Sequence, residues 1–210
     1  DIRIAAPFVS PHSPVVCGSS PRLSAADAAV ITATHGYAFS FWGVESSQSV
    51  VANFVITGSG EAAVLCAQGA SPMLKNLTIV RNDFGIAAYD GSDPDIVNCI
   101  LWDNARGDLF DCEARYSCVQ NGSASKGAGN ISTDPLFADP DNGDFHLRSQ
   151  FGRYVAEWDD WITDTATSPC IDAGDPDEYP RGERTPNGGR INMGAYGGTP
   201  YASLSGWPPR

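Results

Sequence analysis

The sequence predicts an all-β chain wound as a right-handed parallel β-helix (solenoid), with a loop-rich C-terminal region. Short β-rich runs return at a near-constant step, Gly and Pro corners separate them, and no helical stretch intervenes. The runs are Asn53-Phe54-Val55-Ile56, Asn76-Leu77-Thr78-Ile79, Asn98-Cys99-Ile100-Leu101 and Ser117-Cys118-Val119, at steps of 23, 22 and 19 residues.

The corners keep the same step. Pro72 and Pro94 each precede an Asn by four residues. Gly60, Gly85 and Gly107 open second apolar runs, such as Gly85-Ile86-Ala87-Ala88-Tyr89. A weaker earlier turn passes through Ala38 to Trp42. Two short strands per turn cannot build an isolated core, so successive turns must stack and bury each other's apolar side chains. A leucine-rich repeat has a similar period, but its consensus and its helices are missing. A β-sandwich would not return the same residue types at a fixed step.

Asn53, Asn76 and Asn98 begin the buried runs and need partners for their amides. Stacked at the ~4.8 Å strand spacing, they are expected to form a hydrogen-bonded ladder along the solenoid axis. Asn76-Leu77-Thr78 is also a glycosylation sequon, which a buried ladder would keep from use.

The β-helix turns are assigned to residues 38–120. Residues 1–37 read as an N-terminal cap or an incomplete first turn, with Ser24 to Ile31 as either a short helix or part of that turn. Residues 121–210 lose the period and are expected to form irregular final turns and loops packed on the solenoid. Trp158 and Trp161, three apart, read as loop residues packing as one face, with a sugar-stacking platform as the sharper alternative.

A net charge of −12 with two lysines, Lys75 and Lys126, argues against nucleic acid and anionic membranes as partners. No apolar stretch is long enough to span a membrane. The chain opens at Asp1 without a basic, apolar leader, so a removed signal peptide and missing upstream residues both stay open. Six cysteines without a CxxC pair exclude the common zinc patterns, and in an exported chain they permit disulfides.

A lyase-like site needs clustered carboxylates with a basic residue beside them. Asp90, Asp93 and Asp95 form the nearest acidic cluster, and Arg81 and Arg106 follow their strands at comparable points. Asp103, Asp108 and Asp111 lie on the next turn. Solvated acidic corners explain the same residues. Asp139, Asp141 and Asp144 alternate before a Gly in the manner of a calcium loop, although Gln150 replaces the expected Glu. No cofactor is expected, with calcium as the ion these loops would suit. His12, His35 and His146 are scattered and suggest no catalytic pairing.

The C-terminal half carries more specific motifs: Asn98-Cys99-Ile100-Leu101-Trp102, Tyr116-Ser117-Cys118-Val119-Gln120 and Asp134-Pro135-Leu136-Phe137. They continue as Gly143-Asp144-Phe145-His146-Leu147, Ser168-Pro169-Cys170-Ile171-Asp172-Ala173-Gly174 and Arg190-Ile191-Asn192-Met193-Gly194-Ala195-Tyr196-Gly197-Gly198. This resembles the C-terminal region of secreted right-handed parallel β-helix repeat proteins of planctomycete type, whose wider superfamily resembles pectate lyases. The resemblance implies a β-helix, export and an extracellular or cell-surface setting. The expected function is a non-catalytic structural protein that self-assembles through its solenoid ends. Its partners would be copies of itself or other cell-surface components. The alternative is a polysaccharide-binding or polysaccharide-degrading module, a lyase or glycoside hydrolase.

Overall fold

The computed structural model describes residues 15–16, 22–43, 48–120 and 127–206, with the backbone alone for 15–16 and 22–27. Expectations that fall on Cys17, His12, Lys126 and the prolines up to Pro21 lie outside the described residues.

The molecule is an all-β solenoid built on two parallel sheets. One holds β1 (Val15–Val16), β3 (Phe39–Trp42), β5 (Ala62–Ala67), β7 (Phe84–Ala88) and β10 (Gly107–Phe110), in that spatial order. The other starts from β2 (Arg22–Thr32), β4 (Val50–Thr57) and β6 (Met73–Val80). It then splits into β8 (Asp95–Val97) with β11 (Ala114–Arg115), and β9 (Ile100–Trp102) with β12 (Cys118–Val119). Ser24 to Ile31 is therefore strand and not helix. The strand pairs with β4 from Arg22↔Val50 to Ser24↔Ala52 and again from Ala29↔Phe54 to Thr32↔Thr57, with an irregularity between.

Asn53, Asn76 and Asn98 occupy the left-handed region, with φ of 60°, 47° and 55°. They bend each rung of the second sheet. Pairing between β4 and β6 skips from Ala52↔Lys75 to Phe54↔Leu77, and the next rung breaks outright into β8 and β9. Tyr116 takes the same bend in the last rung. Two further left-handed columns close each rung: Gly58, Arg81 and Asp103 after the second sheet, and Gln68, Asp90 and Asp111 after the first. The corners thus rest on Asn, Asp and even Arg more than on Gly and Pro.

Alternation sorts the side chains. Phe54, Ile56, Leu77, Ile79, Cys99, Leu101 and Val119 point inward, meeting Phe39, Phe41, Val64 and Ile86 from the first sheet. The rungs approach closely at Gly85, where a Cβ would overlap the Asp108 carbonyl of the next rung. The amide ladder that does run along the axis uses Asn82 and Asn104. Asn82 donates to the Asn104 side-chain oxygen at 3.0 Å, and its own oxygen accepts from Ser59 N at 3.0 Å. Asn104 in turn donates to the buried Asp108 carboxylate at 2.7 Å.

Beyond the rungs, two antiparallel hairpins, β13 (Phe137–Asp139) with β14 (Asp144–Leu147) and β15 (Arg153–Val155) with β16 (Asp160–Ile162), lead into a turn-rich strap over residues 168–206. This region covers the outward residues Val55, Val80, Ile100 and Cys118 with Phe137, Phe145, Cys170, Ile171 and Met193, making a second core. The expected Asn53–Asn76–Asn98 ladder is corrected here, because their amides go to the strap. Asn53 donates to the Ala195 and Gly197 carbonyls, both at 2.9 Å, and Asn76 to those of Asn192 and Gly194. Asn98 donates to Glu178 and accepts from Asp175 N. Asn76 is 1% exposed, which removes its amide from glycosylation.

Glu183 anchors the strap from within. Its carboxylate accepts from Asn192 N at 2.8 Å and Gly198 N at 2.9 Å, while its other oxygen is buried without a partner. Burial pushes this carboxyl up to about 7 against the pull of those two N–H groups, and nearby Asp172 adds to the rise.

Two outcomes follow from this packing. Asn82→Ala orphans the Ser59 N–H and removes the bonds to the Ile56 carbonyl and the Asn104 oxygen, and is expected to cost about 2–4 kcal/mol in urea denaturation. The folded pKa of Glu183 lies above its unfolded value, so its contribution is complete below about 4.5 and is lost as pH rises through about 7. The thermal midpoint should fall over that interval, with the raised Asp108, at about 6, adding to the lower part. Glu183→Gln, which keeps the accepting oxygen, should flatten the upper part of the profile.

Candidate functional site

Where the corner after the second sheet meets the β13–β14 hairpin, an open cleft of about 440 Å³ forms. Its floor is apolar: Val80, Phe137 and Phe145, the two rings edge-to-face at 5.4 Å. The half-buried Trp102 and Leu136 add apolar wall, and Arg81, Arg148, Asp103 and Asp134 stand at the rim.

The rim is built by backbone geometry. Arg81 and Asp103 share one left-handed corner column on adjacent rungs, so their side chains leave the solenoid side by side, 3.7 Å apart. Arg81 also reaches the hairpin turn, donating to the Pro140 carbonyl at 2.8 Å and to Asp141 at 2.6 Å. Arg148 donates to the Ala138 carbonyl at 3.2 Å, and Asp134 caps the turn by accepting from Leu136 N at 2.8 Å. The result is two guanidinium groups and two carboxylates around an aromatic floor. Such an arrangement can stack an apolar ring face while donating to and accepting from hydroxyl groups at its edge.

The residues singled out in the sequence scatter around this cleft. Arg81 is in it. Arg106 lies at the same end of the rungs but pairs with Asp83 at 3.2 Å and covers the Phe84 ring at 4.7 Å. Asp90, Asp93 and Asp95 sit at the opposite corner, after β7, away from both arginines. Asp95 pairs with Arg115 at 3.0 Å, and Arg115 bridges onward to Asp175 of the strap. The expected convergence of these acids with Arg81 or Arg106 therefore does not occur.

Asp139 and Asp144 are cross-strand partners in the β13–β14 hairpin, but each of Asp139, Asp141 and Asp144 takes a separate partner. Asp139 accepts from Asn142, Asp141 takes Arg81, and Asp144 takes His146 at 2.6 Å and Arg153 at 3.0 Å. Burial works against the Asp144 charge, but the His146 bond and Arg153 hold its carboxyl below the ordinary range. No cluster of three metal-ligating side chains occurs among the described residues. Trp158 is exposed on a turn, while Trp161 packs on Tyr154 and under Arg184, so the two do not form one face.

Trp102, Asp134, Phe137, Phe145 and Arg148 were not singled out by sequence reasoning as site residues. A signal was present at one step: outward positions of the rungs carry Val55, Val80, Ile100 and Trp102 where a solvated face would be polar.

A family model described as disaggregatase related matches residues 41–174, well over half of the chain. No curated protein and no solved structure matches the chain.

The Arg81–Asp141 pair is exposed, so Arg81→Ala is expected to change global stability by less than about 1 kcal/mol. It should raise hydrogen exchange at the β13–β14 turn, which mass spectrometry of the exchanged peptides would read.

Proposed function

The chain belongs to the disaggregatase-related family, and from that premise we propose that it is an extracellular or cell-surface β-helix domain that holds a polysaccharide in its cleft without cleaving it. The export and the planctomycete-type lineage of the repeat are part of this reading. The observation that carries it is the cleft: an aromatic floor framed by both hydrogen-bond donors and acceptors. Pyranose rings have that duality, with apolar C–H faces and hydroxyl rims. The rim charges balance, and Arg81 is already held by Asp103 and Asp141. With −12 overall, the surface disfavours a polyanion, which points to a neutral glycan. A disaggregatase, by its name, takes aggregates apart. Polysaccharide within an aggregate would give this domain its ligand.

A glycan array followed by calorimetry tests the proposal. Neutral oligosaccharides are expected to bind, and Trp102→Ala should weaken binding at least about tenfold while the circular dichroism stays unchanged. EDTA should leave binding intact, because the acidic loop is committed to Asn142, Arg81, His146 and Arg153. Reducing-end or unsaturated-product release would overturn the non-catalytic part.

Self-assembly is the second reading. Among the described residues, β10 is the last strand of the first sheet, and it carries the exposed Phe110 beside Tyr89 at 5.1 Å. Concentration-dependent light scattering without glycan binding would favour it over the cleft.

A further inference from the structure

The five described cysteines are free thiols in this structure, and two of them meet. Cys118 lies on β12 of the last rung and points outward, and Cys170 lies at the start of the strap. Both are 0% exposed and belong to the second core. The two side chains adjoin in that core: Cys118 donates to the Thr133 carbonyl at 3.3 Å, and Ser168, two residues before Cys170, donates to the Pro135 carbonyl at 2.6 Å. The backbones on both sides are fixed: Cys118 N donates to the Cys99 carbonyl at 2.8 Å, and Met193 N to the Cys170 carbonyl at 3.0 Å.

The other thiols are arranged differently. Cys99 faces the interior, on the opposite side of the sheet from Cys118, and its sulfur lies against the Val97 and Leu74 carbonyls. Cys66 and Cys112 share the interior, but β7 lies between their rungs. Two strand spacings, roughly 9–10 Å, exceed the Cα separation that a disulfide spans.

We propose that Cys118 and Cys170 are a disulfide site that staples the strap to the last rung of the solenoid. In the reaction both S–H bonds break and one S–S bond forms. The two electrons reduce a small-molecule disulfide, and the two protons end on the two thiols it becomes. Thiol–disulfide exchange with such an oxidant proceeds through a mixed disulfide on one cysteine, which the second thiolate resolves. In the closed structure the adjoining Cys118 thiol and burial hold the Cys170 thiol well above its ordinary range. The bridge therefore forms as the strap docks, before water leaves the second core. The site does not depend on the glycan cleft, and its test does not touch it.

The purified full chain is reduced, denatured and refolded with a glutathione–glutathione disulfide couple, then denatured again, alkylated and digested with trypsin. The expected product joins the peptides spanning 116–126 and 154–181. Free thiols counted in denaturant should fall from six to four. The oxidised protein should melt about 5–10 °C above the dithiothreitol-treated form. The Cys118→Ala/Cys170→Ala double variant should show no response to dithiothreitol. Six alkylated cysteines after oxidation, or a cross-link joining any other pair, overturns the proposal. The mapping is made on the natural sequence, so it stands whether or not the double variant folds.

Discussion

Everything in this molecule hangs on a left-handed backbone residue recurring at the same point of each rung. At Asn53, Asn76 and Asn98 the chain needs a positive φ, which Asn tolerates better than other side-chain-bearing residues. The bend turns a flat strand into the wall of a tube. It also aims the amide away from the interior, towards the strap carbonyls of Asn192, Gly194, Ala195 and Gly197. One residue type thus sets the shape of the solenoid and fixes what covers it. The Asn53 and Asn76 amides donate to strap carbonyls and the Asn98 amide to the Glu178 carboxylate, where a missing bond to a buried group costs about 1–3 kcal/mol.

The same principle organises the charges. The chain is strongly acidic, and its cations stand where elements must be joined. Lys75 meets Glu178 at 2.7 Å, Arg115 joins Asp95 to Asp175, and Arg153 joins Asp144 to Asp164. Arg81 does this for the hairpin, and the cleft is the space that its reach leaves open. The cleft is therefore a by-product of how the final hairpin attaches, made usable by the aromatic residues beneath it.

Much of the fold was legible in the sequence, because stacking copies one environment from rung to rung. Wherever a residue met its own counterpart, the period exposed it: the strands and the Asn column. The period also returned Asn82 and Asn104, 22 residues apart, yet the more conspicuous strand-starting Asn drew the ladder assignment. The Ala-rich segment Ser24 to Ile31 has local helix preference, and pairing with β4 overrode it. The site was much less legible. Its residues come from a rung corner, an antiparallel hairpin and the turn before it, brought together by contacts with no period. The acidic runs drew attention by composition, but Asp95, Asp139, Asp141 and Asp144 each meet a cation or amide that the linear sequence did not reveal.

A solenoid held only by its neighbours can lose rungs one at a time from its ends, since each repeat answers to the next. Here the strap bonds to residues 80 to 144 positions away and crosses three rungs. Such non-local closure ties the middle of the array to its last segment. The outward faces of Val55 and Ile100 stay wet until that segment arrives. The rungs and the strap then form a single cooperative unit, assembled late and slowly for its size. A ribosome releasing this chain would hold an unfinished tube, with one greasy wall exposed, until residues 168–206 emerge.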